Sequence, residues 1–508
     1  MGQIRVAIRV DASAQIGTGH VRRSLALAQA LRSAGGEVRF VTRALGVDSA
    51  GMIAGEGFEL AVLPGPPVSD FAPDPEIPHS EWAQVGWARD VAETVAALAD
   101  YAPDWVVLDS YAFDAKWHAG VRASLGCKLA HIDDLADRKL ACDLLIDHTF
   151  AHDHRVKYAD VLSPHARVLG GPRYALLGPA YAGAERYAFS AEVRSIGIFL
   201  GGVDAGGHTL AVLDALDAIG FSGAVEVVAT SAHSHLGVLR DRIARRANTA
   251  LLLDLPDLAA FFARHDLQVG AGGGASWERC YIGVPALLMV VALNQRSVAP
   301  LLEEAGVAAF APDPAPGALA EQLARLIADA PRRAGLAAKS RELVDGLGAT
   351  RVALALLAQG LTVRRARLDD ARIMFDWRGD PAIRAVSRGS DPLVWGDHIA
   401  WLGAVLEDPA RKLFVGEVGG RAVGVIRFDF SVGGRAEVSL YLDPALHGLG
   451  LGTHLLLAGE AAADPAIVDA TVLEDNRASQ ALFESCGYVS TGPGTWEKHR
   501  LPRHRTRR

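Results

Sequence analysis

A histidine set behind two glycines, and a glycine-serine run set in front of a glutamate, are the stretches of this chain whose residue types and spacing could do chemistry. Arg9-Val10-Asp11-Ala12-Ser13 leads into Ile16-Gly17-Thr18-Gly19-His20, and residues 21–27 continue with helical spacing. A strand, a glycine turn and a helix in that order deliver a histidine into a cleft. Gly17 and Gly19 allow a tight turn and close approach of the backbone to a ligand, while the helix N-terminus behind them favours an anion. His20, with an ordinary pKa near neutrality, sits where it could move a proton. Further on, Gly270-Ala271-Gly272-Gly273-Gly274-Ala275-Ser276 ends an apolar run and opens a helix over 277–281, which Gly283-Val284-Pro285 stops. Unhindered amides at such a helix start can cradle a diphosphate. Glu278, one turn in, is placed to accept two hydrogen bonds from ribose hydroxyls. A structural histidine and a plain strand-to-helix turn are the alternatives that these two stretches alone leave open.

The elements that must position these residues follow from the apolar pattern. Residues 4–10, 37–42, 105–109, 128–133 and 144–147 read as buried parallel strands, with helical spacing at 21–34 and 90–101. The pattern restarts at 195–200, runs into the glycine-rich 201–207, and continues with strands at 224–229, 249–253, 267–270 and 286–291. Each half reads as a doubly wound α/β domain, and two Rossmann-like halves around a cleft match the GT-B class by fold-level analogy. The character changes near Thr362. Helices are expected near 368–377 and 398–406, then antiparallel strands at 412–417, 422–429 and 436–442, then another glycine-rich turn. The predicted fold class is thus α/β, a GT-B-like pair of Rossmann-like domains followed by a third α/β domain. The expected boundaries are 1–180, 181–360 and 361–500, with a basic tail at 501–508.

Size and composition bound the function classes. The chain has 508 residues, more than one core usually supports, and 50% of them are apolar. A formal net charge of -8 gives no general reason to expect nucleic acid. Cys127, Cys142, Cys280 and Cys486 lack metal-ligand spacing, which argues against a zinc site or a structural disulfide and fits a reducing compartment. Arg5, Arg9 and Asp11 interrupt the first apolar stretch, so it does not read as a signal peptide, and the longest apolar run, 284–293, is too short to span a bilayer. The expectation is a cytoplasmic protein that binds no nucleic acid, no membrane and no metal.

The stretch from Gly17 to His20 resembles the signature of the UDP-sugar hydrolase family of pseudaminic acid biosynthesis. The segment from Gly272 to Pro285, with Asn294-Gln295 after it, resembles the UDP-binding segment of the lipid II N-acetylglucosaminyltransferase superfamily and, more closely, that of the same hydrolases. Leu108-Asp109-Ser110-Tyr111, His131-Ile132-Asp133-Asp134-Leu135-Ala136-Asp137-Arg138, Gly171-Pro172-Arg173-Tyr174-Ala175-Leu176-Leu177 and Gly201-Gly202-Val203-Asp204 are similar to further family segments. Gly178 stands where the family usually has arginine. The resemblance spans about residues 4–358 and implies hydrolysis of UDP-2,4-diacetamido-2,4,6-trideoxy-β-L-altropyranose to UDP and the free sugar. It implies His20 as the base, with Tyr111 and Asn294 orienting sugar or water. Asp11, Gly17, Gly19, Gly201, Gly202, Gly273, Gly274, Ser276, Glu278 and Gln295 would bind the UDP-sugar.

His447-Gly448-Leu449-Gly450-Leu451-Gly452-Thr453, followed by a helix, resembles the pyrophosphate loop of GNAT N-acetyltransferases, whose backbone amides face the phosphates of CoA. Asn476-Arg477-Ala478-Ser479 before Ala481-Leu482-Phe483 and Cys486-Gly487-Tyr488 resembles their second signature. The family usually has Arg or Gln where His447 stands, and often a tyrosine that protonates the CoA thiolate where Phe483 stands, so that acid must be another group, Tyr441 or a water. Acetyl-CoA would be a co-substrate held by Leu440, Leu442, His447, Gly448, Gly450, Gly452, Thr453 and Asn476. Trp377-Arg378, Arg384, His398 and Trp401 resemble the sugar-receiving face of the pathway's nucleotide-sugar acetyltransferase, which acylates the 4-amino group one step before the hydrolase. The resemblance therefore implies a bifunctional enzyme, with association to neighbouring pathway enzymes as a further expectation. A GT-B glycosyltransferase carrying a regulatory or protein-modifying GNAT module is the rival.

Overall fold

Runs that are apolar throughout become the central strands of parallel sheets, because helices cover both faces. The computed structural model describes residues 3–66, 71–292, 295–389 and 391–499. In the first sheet the strands are β1 (Arg5–Val10), β2 (Glu37–Arg43), β3 (Glu59–Leu63), β4 (Trp105–Asp109), β5 (Lys128–Ile132), β6 (Leu144–Asp147) and β7 (Arg167–Gly170). All neighbours are parallel, in the order β3-β2-β1-β4-β5-β6-β7. The second sheet repeats the plan with β8 (Ser195–Phe199), β9 (Ala224–Ala229), β10 (Thr249–Leu253), β11 (Leu267–Ala271), β12 (Ala286–Met289) and β13 (Ala309–Ala311), ordered β10-β9-β8-β11-β12-β13. Strand order reverses beside the first strand of each sheet, between β1 and β4 and between β8 and β11. In open α/β sheets, crevices form at the carboxyl ends of such strand pairs.

Ala7, Val106, Leu108, Trp117 and Leu145 centre the first core, and Ile196, Ile198, Val227, Val269 and Leu287 the second. The expected strands and helices recur with ends shifted by a few residues. The helix expected at 90–101 runs Trp87–Ala97, and the strand expected at 286–291 stops at Met289. Strands β3, β7 and β13 carried no signal because they lie at or next to sheet edges and are short or half-exposed, so no continuous apolar run marks them.

The third sheet is mixed. Its strands are β14 (Thr362–Arg365), β15 (Arg411–Val418), β16 (Arg421–Phe430), β17 (Arg435–Leu442), β18 (Ile467–Thr471), β19 (Val489–Gly492) and β20 (Thr495–His499), ordered β14-β15-β16-β17-β18-β20-β19. Only β17 and β18 are parallel, and their ladder ends at Val438↔Ala470 although β17 continues to Leu442. Met374, Leu402, Val405, Leu413, Val415 and Val425 form part of its core. By compactness the chain divides into two units, one holding both parallel sheets within residues 5–352 and one holding the mixed sheet from residue 353 onward, with residues 31–36 grouped with the latter.

Candidate active sites

The first crevice lies where β1 and β4 adjoin. Gly17, at φ 75°, closes a tight loop after β1 with its N–H on the Ser13 carbonyl at 2.8 Å, and helix Gly19–Ser33 starts at once, placing His20 in its first turn. The register Val10↔Asp109 brings the last residue of β4 beside that loop. His20 Nδ1 meets Asp109 Oδ1 at 2.5 Å. Arg23 donates to both carboxylate oxygens, Nη2 to Oδ1 at 2.5 Å and Nε to Oδ2 at 2.8 Å, and Ser24 Oγ adds a bond to Oδ2 at 3.1 Å. Burial alone would raise the Asp109 pKa, but Arg23 and His20 hold it well below the usual carboxylate range. An anionic Asp109 accepts from Nδ1–H, so the neutral ring carries its lone pair on Nε2, which has no hydrogen-bond partner among the described residues.

Tyr111 stands edge-on to His20, with ring centroids 4.7 Å apart at 77°, and its hydroxyl donates to Asp134 Oδ1 at 2.5 Å. Burial, with Asp134 beside it, pushes the Tyr111 phenol well above its usual pKa, so it stays a donor. A relay of fixed tautomers holds the loop between Asp109 and Tyr111. The Ala141 amide donates to His118 Nδ1 at 3.1 Å, which leaves the proton on His118 Nε2 to bond His131 Nδ1 at 2.9 Å. His131 must then donate from Nε2 to the Ser110 carbonyl at 3.1 Å, which Arg138 Nη2 also engages at 3.0 Å. Both rings are fully buried, and burial pushes His131 down to about 4 and His118 well below its ordinary value, so the relay is neutral.

Asp11, expected at the sugar, is instead tied inward. Its Oδ1 accepts from Arg9 Nη1 at 2.5 Å and from the Arg43 amide at 2.6 Å, and Arg9 and Arg43 both continue to buried Asp90. Sequence reasoning did not select Asp109, Arg23, Ser24 or Asp134 as site residues. Arg23 and Ser24 lie three and four positions after His20 on one helix, a spacing that sets them on its face and could have exposed them.

At the second crevice, Gly201 (φ 100°) and Gly202 follow β8; a Cβ on Gly202 would come within 2.8 Å of Thr230 Cγ2. Gly272 and Gly273 follow β11 and lie over Gln295, whose Oε1 accepts from the Val291 amide at 3.0 Å. Gln295 therefore buttresses the glycine loop from beneath. Gly274 is open, with nothing within 4 Å of an added Cβ. Ser276 is turned inward, its hydroxyl donating to the Ala271 carbonyl at 3.2 Å and its amide to the Gly273 carbonyl at 2.9 Å. Glu278 is half-buried in helix Ala275–Ile282; burial raises its pKa, and the Tyr181 phenol and the Arg22 guanidinium act on its carboxyl. Arg22 also donates to the Pro256 carbonyl at 2.7 Å, so helix Gly19–Ser33 reaches the second half. Asn294 lies outside the described residues.

In the mixed sheet, Gly448 (φ 83°) and Gly450 (φ 73°) have nothing within 4 Å of an added Cβ, and Gly450 caps helix Leu451–Ala463, with Gly452 and Thr453 in its first turn. Leu440 and Leu442 lie on the part of β17 beyond the β18 ladder, and His447 leads into the glycine turn. That splayed strand, the open glycines and the helix start suit an extended thiol ester ending in a diphosphate. Asn476 caps helix Arg477–Ser485, its Oδ1 accepting from the Ser479 amide at 3.1 Å. Phe483 is buried edge-on to Tyr488 at 4.9 Å, so this ring serves the core. Tyr441 lies on β17 opposite Val425, two residues along from the Arg427 position of β16, and burial raises its pKa against the opposing pull of Arg378 and Arg427, which keeps it protonated. Trp401 stacks on His398 at 5.6 Å and carries the Arg427 guanidinium 5.7 Å from its ring centroid. His398 is buried with Nε2 on the Ala371 carbonyl at 3.1 Å, and Arg384 Nε bonds the Gly379 carbonyl at 3.2 Å; these contacts hold local structure. The structure thus sets Arg427 and Tyr441 on neighbouring strands, with Trp401 against Arg427, while His398 and Arg384 hold local structure.

Among the described residues no helix is long and apolar enough to cross a membrane. Residues 372–488 match the Acetyltransferase (GNAT) family. Over 197 residues, 37% of this chain, the N-terminal part is 30% identical to the spore coat polysaccharide biosynthesis protein SpsG of Bacillus subtilis (strain 168), and the chain spans 57% of that protein's length. Among solved structures, MurG of Acinetobacter baumannii is similar with a TM-score of 0.47 at 14% identity, over 69% of this chain and 98% of that one. Spermidine N-acetyltransferase of Vibrio cholerae, solved with CoA and spermine, is similar with a TM-score of 0.25 at 17% identity, over 27% of this chain and 92% of that one. The sheet orders give a pair of Rossmann-like parallel sheets, the N-terminal part is similar in sequence to SpsG, and the mixed sheet holds the segment that matches the GNAT family, so that the chain joins two kinds of domain.

Proposed function

We propose that this chain is a bifunctional enzyme of pseudaminic acid biosynthesis, with residues 1–360 as a UDP-sugar hydrolase and 361–500 as the acetyltransferase that makes its substrate. The observation that carries the hydrolase reading is the 2.5 Å contact of His20 Nδ1 with Asp109 at a strand-order reversal, leaving Nε2 as a free base. In the reaction, a water attacks the anomeric carbon of UDP-2,4-diacetamido-2,4,6-trideoxy-β-L-altropyranose and gives its proton to His20 Nε2. The C1–O bond breaks and UDP departs, its diphosphate held by amides of the loop at Gly273 and Gly274 and its ribose by Glu278. Asp109 stabilises the imidazolium that forms, as a buried anion paired with Arg23 can do without reorganising. Tyr111 and Asn294 orient sugar or water.

In the acetyltransferase, the 4-amino group of UDP-4-amino-4,6-dideoxy-N-acetyl-β-L-altrosamine attacks the thioester carbonyl of acetyl-CoA and the C–S bond breaks. Tyr441, kept protonated by burial, gives the thiolate its proton in place of the tyrosine that Phe483 replaces, and the proton that the amine nitrogen loses restores the phenol. Arg378 and Trp401 receive the nucleotide-sugar. Incubating the purified chain with the UDP-4-amino sugar, with and without acetyl-CoA, and identifying products by mass and NMR tests both halves. UDP and free diacetamido sugar are expected only with acetyl-CoA. Transfer of the sugar to an added hydroxyl acceptor in place of water would favour the glycosyltransferase, and absence of CoA release would remove the acetyltransferase.

A further inference from the structure

An aromatic pair between β3 and helix Trp87–Ala97 is unused by the chemistry above. His79 and Trp82 lie at the short 3-10 turn Ser80–Ala83, with ring centroids 4.6 Å apart at 47°. His79 stands 6.0 Å and Trp82 5.9 Å from the Tyr111 ring, which itself stands 4.7 Å from His20. Four rings therefore form one continuous wall that ends at the His20 ring. Trp82 packs one side against the first core, which fixes the ring, yet both His79 and Trp82 stay half-exposed, whereas Trp117 in the same core is fully buried. The Trp82 indole N–H has no partner among the described residues.

The charges around the wall decide what it can take. The two guanidiniums over Tyr111 are already neutralised, Arg23 by Asp109 and Arg138 by Asp133 and Asp137. One further carboxylate faces the rings, Asp134 at the Tyr111 hydroxyl, and the Asp137 that pairs with Arg138 also stands 3.7 Å from His79 Nε2. A diphosphate gains nothing here, and its place is the open glycine loop of the second crevice. A neutral ring with a C–H-rich face and polar substituents at its rim fits, because indole offers a flat apolar surface with one donor at its edge.

We propose that His79 and Trp82 are the specificity wall for the sugar, taking the apolar face of a 6-deoxy, N-acylated hexose and setting its anomeric carbon toward His20. This rests on the hydrolase reading, and the experiment separates the two. The intact chain, Trp82→Ala, Trp82→Phe and His79→Ala are compared for kcat and KM with the UDP-diacetamido sugar, for inhibition by UDP, and for UDP binding by calorimetry. Trp82→Ala is expected to raise KM about tenfold, the worth of one stacked ring, with the UDP inhibition constant unchanged. Trp82→Phe should recover most of the loss, and His79→Ala, at a turn outside the core, should shift KM in the same direction. Unchanged KM in Trp82→Ala and His79→Ala, or KM and the UDP constant rising together, overturns the wall while UDP binding by the wild type leaves the hydrolase reading standing. A wild type that neither binds UDP nor releases it overturns both.

Discussion

The two crevices of the parallel-sheet unit share one plan and differ in what fills it. Between β1 and β4 the strand ends carry side chains, with His20, Arg23 and Ser24 around one buried carboxylate. Between β8 and β11 they carry backbone, with open glycines and one half-buried glutamate. The proposed function thus uses the same topology for proton transfer in one sheet and for holding a phosphate group in the other. Chemistry needs a titratable group held in one tautomer, whereas holding a diphosphate needs amides without side chains in the way.

The largest test of that contrast is in the first crevice. His20→Ala should lower hydrolysis by about 10³-fold or more, and Asp109→Asn by about 10²–10³-fold, because the base or the partner of its proton is lost. UDP affinity measured by calorimetry should stay within twofold of wild type in His20→Ala; a parallel loss of affinity would erase the distinction between the crevices. The mixed sheet combines both devices, open glycines and a protonated side chain, so Tyr441→Phe should cut acetyl transfer by about 10²-fold with acetyl-CoA affinity unchanged. A full transfer rate in that variant would assign thiolate protonation to water. In the second crevice, adding a side chain should do what removing one does in the first. Gly274→Val, at an ordinary helical φ with open space before it, should weaken UDP binding by more than about tenfold without loss of thermal stability. Glu278→Ala should cost a smaller amount, about 1–2 kcal/mol of UDP affinity, as expected for a single acceptor at a partly buried site.

The smallest effect concerns stability. Burial pushes His131 and His148 down to about 4, and both would titrate near 6.5 in the unfolded chain. Below about pH 6.5 the unfolded state then binds more protons than the folded one, so stability falls as pH drops toward about 4 and levels off beneath. Each group contributes a slope of up to about 1.4 kcal/mol per pH unit. Urea midpoints across that range should show a shallower fall in His131→Gln, and an unaltered slope would mean that this ring is not neutral in the folded protein.

Much of the fold was legible because the central strands are apolar runs framed by glycines. Edge strands such as β3 and β13 were not, since half-exposed residues leave no run to read. His20 was legible for a local reason, as were the glycine loops: the turn, the helix start and the side chain lie within five residues. The role of Asp109 was not, because it stands 89 residues from His20 and meets it only through the pairing of β1 with β4.

Types and local spacing by themselves determined which backbone stretches can approach a phosphate, where helices begin, and which histidine has a turn behind it. Those are properties of neighbours in the chain, set by φ freedom and by unpaired amides. Tertiary structure alone decided which way each side chain faces. Asp11 and Ser276, equally plausible in sequence as ligands, turn into the protein because a buried arginine and a strand-end carbonyl claim their oxygens. Phe483 went to the core and Tyr441 to the strand beside Arg427. Burial makes a polar atom take the nearest partner, and that partner is set by how distant strands pair.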